Sequence, residues 1–92
     1  MTIVSDASVL INLSKINKLE LLRLLFKIVY LAPSVYHEIV VRGKEKEGSK
    51  EVKEAKWLRV RTPRDRLAVE LLSSELDSGE AETIVLAKEL KA

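Results

Sequence analysis

The chain has 92 residues, of which 47% are hydrophobic, 33% charged and 4% aromatic. We expect one domain over residues 1–92 with an aliphatic core, because this length is too short for two domains and this apolar content excludes a disordered tail. The absence of cysteine excludes a disulfide scaffold and a thiol nucleophile, and the single histidine, His37, excludes a multi-histidine metal site.

Charge and hydropathy narrow the class of protein further. A net charge of +2 at pH 7 excludes a strongly polycationic binder. The N-terminus lacks a basic segment followed by a long apolar run, and charged residues interrupt every apolar stretch before membrane-spanning length. The sequence therefore predicts a soluble, cytoplasmic protein with no membrane segment. Abundant Lys and Glu without glutamine favour a thermophilic source.

The first third of the chain predicts a strand followed by two helices. Ile3–Val4 is a short apolar run that stops at Ser5 and Asp6, as a buried strand does. The segment 7–13 predicts a short helix with Val9, Leu10 and Leu13 facing inward. Asn17 and Glu20 have the spacing of a capping box, which predicts a second helix that runs to about residue 26.

The middle of the chain predicts a second strand and a third helix. Ile28–Leu31 is rich in β-branched and aromatic residues and ends just before Pro33. Pro33 is favoured in the first turn of a helix, which we extend to Val41 and end at Gly43. Residues 44–50 then predict a charged loop, and residues 50–56 a short surface helix.

The last third predicts a third strand and two more helices. Residues 57–61 alternate apolar and basic side chains, which is the period of a strand with one wet face. A helix follows over residues 67–72, and Asp77 and Glu80 have capping-box spacing before a final helix to about Leu90. Strands separated by helices predict an α/β fold with a parallel β-sheet flanked by helices.

Asp6 and Ser8 follow the first strand directly. Ligands of open α/β sheets bind outside the carboxyl ends of the strands, which makes Asp6 a candidate site residue. Aspartate is also a favoured helix cap, so the sequence leaves both interpretations open. Ser8 either orients a carboxylate or caps the helix itself.

Two glutamates are further candidates. Glu38 lies at the margin of the apolar face of the third helix, where an ordinary exposed glutamate is the alternative. On a helical wheel of the last helix, Glu80 falls between Ile84 and Ala87, towards the apolar side, whereas Glu82 points to solvent beside Glu89. A capping role is the alternative for Glu80.

These carboxylates suit a hard metal ion if the sheet brings them together. Asp6, Glu38 and Glu80 each lie near the end of a strand or the start of a helix. Carboxylate oxygens in this number favour Mg²⁺ or Mn²⁺ over zinc. Such a site supports phosphodiester hydrolysis, since the metal reverses the repulsion between the acidic cluster and a phosphate.

Three segments in order resemble the motifs of the PIN domain, the family of VapC-like nucleases. Residues 4–13 (VSDASVLINL) resemble its opening strand, aspartate and hydroxyl residue, and residues 31–39 (LAPSVYHEI) resemble its second motif, in which a helix beginning at proline presents a glutamate. Residues 76–87 (LDSGEAETIVLA) resemble its third motif. The resemblance covers nearly the whole chain.

The resemblance implies a metal-dependent ribonuclease. It makes Asp6, Glu38 and Glu80 the catalytic residues and the ligands of Mg²⁺ or Mn²⁺, with Ser8 and Asp77 in supporting roles. It also implies RNA as substrate and a cognate antitoxin as protein partner. The family continues beyond the third motif with a further strand and acidic position, whereas this sequence ends at Ala92. We therefore interpret the domain as C-terminally truncated.

That interpretation leaves a second function open. A shortened PIN-like domain that has lost its activity would serve as an oligomerisation or partner-binding module, since an open sheet edge favours strand addition from a second subunit. A homodimer or higher homo-oligomer is expected in that case.

A basic middle region offers a route for RNA. Residues 42–66 carry 10 basic and 5 acidic side chains, whereas residues 67–92 carry 2 and 6. We interpret residues 44–56 as a solvated surface laced with salt bridges, because acids are interspersed there. Fewer acids lie near Arg59, Arg61, Arg64 and Arg66, which we predict to contact nucleic acid.

Overall fold

The protein is built around a three-stranded parallel sheet. The computed structural model describes residues 2–92; Met1, which the expected domain includes, lies outside the described residues. The strands are β1 (Thr2–Val4), β2 (Ile28–Leu31) and β3 (Leu58–Val60), in the order β1-β2-β3. Because both strand pairs are parallel, the carboxyl ends of all strands meet at one edge. The predicted α/β fold is confirmed.

Helices connect the strands and cover the sheet. Two follow β1, two helical stretches and a further helix follow β2, and two helices follow β3, in the order that the sequence predicts. They are α1 (Ala7–Lys15), α2 (Glu20–Leu25), α3 (Pro33–Tyr36), which continues as a π-helical segment (His37–Arg42), α4 (Ser49–Glu54), α5 (Arg66–Leu72) and α6 (Ser78–Leu90).

The core is aliphatic, as the composition predicts. Its main cluster joins the sheet to α1, α3 and α6 through Leu10, Leu31, Val35 and Leu86, each at most 2% exposed. A smaller cluster around Val69 packs α5 against α6. Together the clusters fix α3, α5 and α6 around the carboxyl edge of the sheet. Within residues 2–92, no helix is both long and apolar enough to span a bilayer.

The third predicted helix changes its geometry part of the way along. It starts at Pro33 as expected, but from His37 onward it is π-helical. A π turn inserts a residue relative to α-helical spacing and is common at functional sites. Gly43 ends the segment as predicted, and a Cβ there would lie 2.7 Å from the backbone oxygen of Ile39, so only glycine fits without a shift.

The capping box expected at residues 17–20 is wrong. Asn17 has a φ of 57°, and its backbone N–H donates to Ser14 O at 3.0 Å. Asn17 therefore belongs to the end of α1, where a left-handed residue closes the helix. The next helix, α2, begins at Glu20 without a side-chain cap.

Val9, which is predicted to face inward, and two other apolar side chains are exposed. Val9 and Ile84 are 42% and 51% exposed. Helical periodicity alone places them on an apolar face, but α6 buries its flanks against α3 and α5, so Ile84 faces away from the core. Val60 is 47% exposed, because β3 is an edge strand that neighbouring helices cover only in part.

Candidate functional site

A cleft of about 130 Å³ lies at the carboxyl edge of the sheet. It is bounded by the start of α1, by α3 with its π-helical extension, and by the start of α6. Its lining residues are Asp6, Ala7, Ser8, Val35, Glu38, Asp77, Gly79 and Glu80. All five residues that the sequence predicts as catalytic or supporting thus line one cleft, although they come from three separate parts of the chain.

Asp6 combines both roles that the sequence left open. It follows β1, whose ladder extends to Ser5 through a hydrogen bond from Ser5 N to Tyr30 O at 2.9 Å. Asp6 Oδ1 accepts from Val9 N at 3.0 Å and so caps α1. The other oxygen, Oδ2, makes no hydrogen bond with the described part of the chain. Asp6 is therefore a cap with one carboxylate oxygen left for another ligand.

Glu38 faces the same cleft from the opposite wall. Its side chain is exposed and makes neither a hydrogen bond nor an ion pair with residues 2–92. Gly79 lies between two carboxylates of the cleft: a Cβ at this position would lie 3.8 Å from Glu38 Oε1 and 3.5 Å from Asp77 Oδ1. Carboxylates from the π-helical segment and from the start of α6 therefore reach the same part of the cleft floor.

The predicted capping box at the start of α6 is confirmed. Asp77 Oδ1 accepts from Glu80 N at 2.8 Å, and Glu80 Oε1 accepts from Asp77 N at 3.3 Å. Each of these bonds uses one oxygen of its carboxylate. The capping role therefore holds both side chains at the rim of the cleft without using all of their acceptor capacity.

The expected orientation of Glu82 is wrong. Glu82 is only 6% exposed, whereas Glu80 is exposed. Glu82 Oε1 accepts from Ser34 N at 2.9 Å, and its Oε2 pairs with the Arg66 guanidinium at 3.4 Å. The helical wheel failed because a polar side chain can be buried where two neighbouring helices, α3 and α5, supply its partners. No signal within α6 itself reveals them.

The donor set fits a hard divalent cation, but it is not closed around one. Asp6, Glu38, Asp77 and Glu80 offer carboxylate oxygens, the ligand type that Mg²⁺ and Mn²⁺ prefer. Within residues 2–92, however, no group of three His, Asp or Glu side chains is arranged to hold a metal ion as it stands. Ligation therefore requires side-chain rotation within the cleft, which the exposure of Glu38 permits.

The structure separates the arginines that the sequence groups together. The Arg61 guanidinium lies over the Tyr30 ring, 5.2 Å from its centroid, and Arg66 pairs with Glu82. Arg61 and Arg64 line a common cavity of about 690 Å³, which Arg59 and Arg66 do not share. This cavity also contains Asp65 and Glu89, and Glu89 accepts from the backbone of residues 64 and 65. Contact between these four arginines and nucleic acid stays a prediction.

The fold and the cleft define an α/β domain that gathers carboxylates at the carboxyl edge of a parallel sheet. A family model described as DUF3368, a PIN domain, matches residues 2–92. The chain therefore belongs to this PIN-domain family, and the predicted family is confirmed. PIN domains have nuclease-type functions and generally use divalent metal ions. No curated protein and no solved structure matches the chain.

Proposed function

We propose that the protein is an Mg²⁺- or Mn²⁺-dependent ribonuclease of the VapC-like type, with Asp6, Glu38 and Glu80 as metal ligands. The observation that carries the proposal is that three carboxylates line one cleft of about 130 Å³. Asp6 follows β1, Glu38 belongs to the π-helical segment, and Glu80 belongs to α6. Membership of the PIN family supports a nuclease function in general.

Capping and metal binding are compatible in this cleft. Asp6 and Glu80 each commit a single oxygen to a backbone N–H, and Glu38 commits none within the described residues. The caps fix the backbone of α1 and α6, so that ligand side chains start from rigid helix ends. A ligand role therefore does not cost the fold its helix caps.

In this proposal the residues of the cleft hold the metal ion and fix its position. Asp6, Glu38 and Glu80 would hold a divalent cation, which would supply a water of lowered pKa and offset the charge that develops on a phosphodiester during hydrolysis. Asp6, Glu38 and Glu80 would hold the positive charge of the cation at the carboxyl edge of the sheet. Ser8, exposed at the rim, offers a hydroxyl to orient a carboxylate, and Asp77 holds the start of α6 through its cap.

The first test is an Mn²⁺ titration by calorimetry on the wild type and on Asp6→Asn. Asp65→Asn is a matched control, because Asp65 caps α5 through the same bond: its Oδ1 accepts from Ala68 N at 3.0 Å. Asparagine is as good a cap as aspartate, so neither change should alter stability much. We expect Mn²⁺ affinity to fall at least about tenfold in Asp6→Asn only.

Cleavage of single-stranded RNA is then measured in the same proteins with Mg²⁺ and Mn²⁺. The proposal predicts cleavage by the wild type and by Asp65→Asn and a loss of cleavage in Asp6→Asn and Glu38→Gln. Equal Mn²⁺ binding by wild type and Asp6→Asn, or cleavage that survives both cleft substitutions, would contradict it.

A second candidate function, self-assembly into a homo-oligomer, is favoured by exposed apolar side chains. Leu67 and Leu71 lie four residues apart on α5, on one face, and are 65% and 67% exposed. Leu24 and Leu25 of α2 are 75% and 69% exposed. We propose that a second copy covers one of these faces, which suits either an active ribonuclease or a non-catalytic PIN-like module.

The oligomer is tested by light scattering on the wild type and on Leu67→Glu/Leu71→Glu. A monomeric wild type at high concentration would contradict self-assembly. A cognate antitoxin stays a prediction from the family, and co-purification of a neighbouring gene product with the wild type, lost on the same substitutions, would support it.

A further inference from the structure

A groove of about 630 Å³ runs along α4, on a surface distinct from the acidic cleft. It is lined by lysines spaced three or four residues apart, together with Ser49, Glu45 and Glu54. We call it the lysine groove, after Lys46, Lys50, Lys53 and Lys56. All of these lysines are exposed.

The salt bridges expected on this surface are absent from the part of the chain that the structure describes. Among residues 2–92 the ion pairs are Arg23–Glu20 and Arg66–Glu82, and neither involves a residue of the segment 44–56. The interspersed acids therefore do not neutralise the lysines in pairs. Four lysines against two glutamates line the groove, and clustered lysines are the electrostatic pattern of a surface that meets phosphates.

The groove is built on fixed backbone. Val52 of α4 is 2% exposed in the main core, and Ser49 Oγ donates to Val40 O at 3.3 Å. Gly48, with φ of 90°, turns the chain into α4 against Ile11 of α1. Lys50 and Lys53 therefore project from a helix that the core holds in place, while Lys46 lies in the turn before it and Lys56 in the turn after it. Binding at the helical lysines does not have to order the backbone first.

The position of the groove relates it to the cleft. Helix α4 packs on the π-helical segment that carries Glu38. Lys56 lies two residues before β3, at the amino end of that strand, whereas the cleft lies at the carboxyl edge. The π-helical segment, with Glu38 near its start, therefore lies between the two surfaces along the chain. The cleft is acidic and repels phosphate without a metal, whereas the groove attracts it.

We infer that the lysine groove is a second RNA-contacting surface, which binds the phosphate backbone independently of the metal and of base sequence. The inference rests on the proposed ribonuclease function for the identity of the polyanion. It also differs from the sequence prediction, since it assigns backbone binding to the four lysines of the groove rather than to the arginines at 59–66. Lysine contacts phosphates as a point charge, and none of the groove's lining residues is aromatic, so base stacking has no part.

Fluorescence anisotropy with a labelled 20-nucleotide single-stranded RNA, in EDTA, tests the inference. The groove variant replaces all four lysines by glutamine. The matched control makes the same change in charge at four exposed lysines outside the groove. It replaces Lys15, Lys18, Lys27 and Lys88 by glutamine. Both variants carry four fewer positive charges, so only position differs. Circular dichroism of both confirms folding.

We expect the groove variant to bind at least about tenfold more weakly, and the slope of log K against log salt to fall by about 2.8, since each phosphate contact contributes roughly 0.7 for a single strand. The control should keep the wild-type slope. Equal losses in both variants, or equal competition by poly-glutamate of matched charge, would overturn the inference. The readout is metal-free binding, so it is independent of whether Asp6→Asn abolishes cleavage.

Discussion

Glu82 carries the most informative stability prediction, because it is a buried carboxylate on which three helices converge. It belongs to α6, accepts a hydrogen bond from Ser34 N in the first turn of α3, and pairs with Arg66 at the start of α5. A carboxylate at helix N-termini is also favoured by the helix dipole. Glu82→Ala removes all of these interactions at once.

The magnitude follows from the exposure of each partner. A hydrogen bond to a charged group contributes about 1.5–3 kcal/mol. The Arg66 side chain is 54% exposed, so solvent screens the ion pair, which adds about 0.2–1 kcal/mol. We expect Glu82→Ala to lower the free energy of unfolding by about 2–4 kcal/mol, which is roughly 8–30 °C in Tm for a domain of this size.

Urea unfolding followed by circular dichroism measures the loss. Glu82→Gln keeps an acceptor for Ser34 N and should lose less than half as much as Glu82→Ala. Glu80→Ala, two residues away and exposed, removes only one arm of the capping box and should cost about 0.5–1 kcal/mol. If Glu82→Ala lowers the free energy of unfolding by no more than Glu80→Ala does, the inference that buried Glu82 stabilises the packing of three helices is refuted.

Three further predictions follow from single contacts. Hydrogen bonds from the backbone N–H groups of Arg64 and then Asp65 hold the pKa of Glu89 below its ordinary value. Ionised Glu89 therefore stabilises the folded state at pH values above its unfolded-state pKa, and this stabilisation is lost as pH falls through the folded-state pKa. The stability difference between wild type and Glu89→Gln, from urea midpoints at several pH values, should therefore shrink towards acid pH; a constant difference would contradict this. Gly48→Ala forces a side chain into a φ of 90° and should cost about 1 kcal/mol or more in urea unfolding, and an unchanged midpoint would count against the strain. Gly79→Ala places a methyl at ordinary contact distance from Val35 and should keep stability while weakening Mn²⁺ binding in calorimetry; unchanged Mn²⁺ affinity would argue that the metal binds elsewhere.

Local signals are enough to place most of the elements and the residues of the cleft. The β-branched run at 28–31, the proline at 33 and the capping box at 77–80 each act within a few residues, so the sequence shows them directly. Parallel strands then bring residues that follow β1 and β2 to one edge. This explains why the sequence groups Asp6 with Glu38, whereas Glu80 joins them through the resemblance to the family's third motif.

The tertiary structure decided which charged side chains have partners. The choice between Glu80 and Glu82 depends on Ser34 and Arg66, which lie 48 and 16 residues from Glu82 along the chain. In the same way, packing gave Arg61 and Arg66 different partners and brought the lysines at 46, 50, 53 and 56 to one groove. The sequence alone determined the family, the sheet and the composition of the acidic cleft; burial and pairing of charge required the fold, because they depend on neighbours that are distant in sequence.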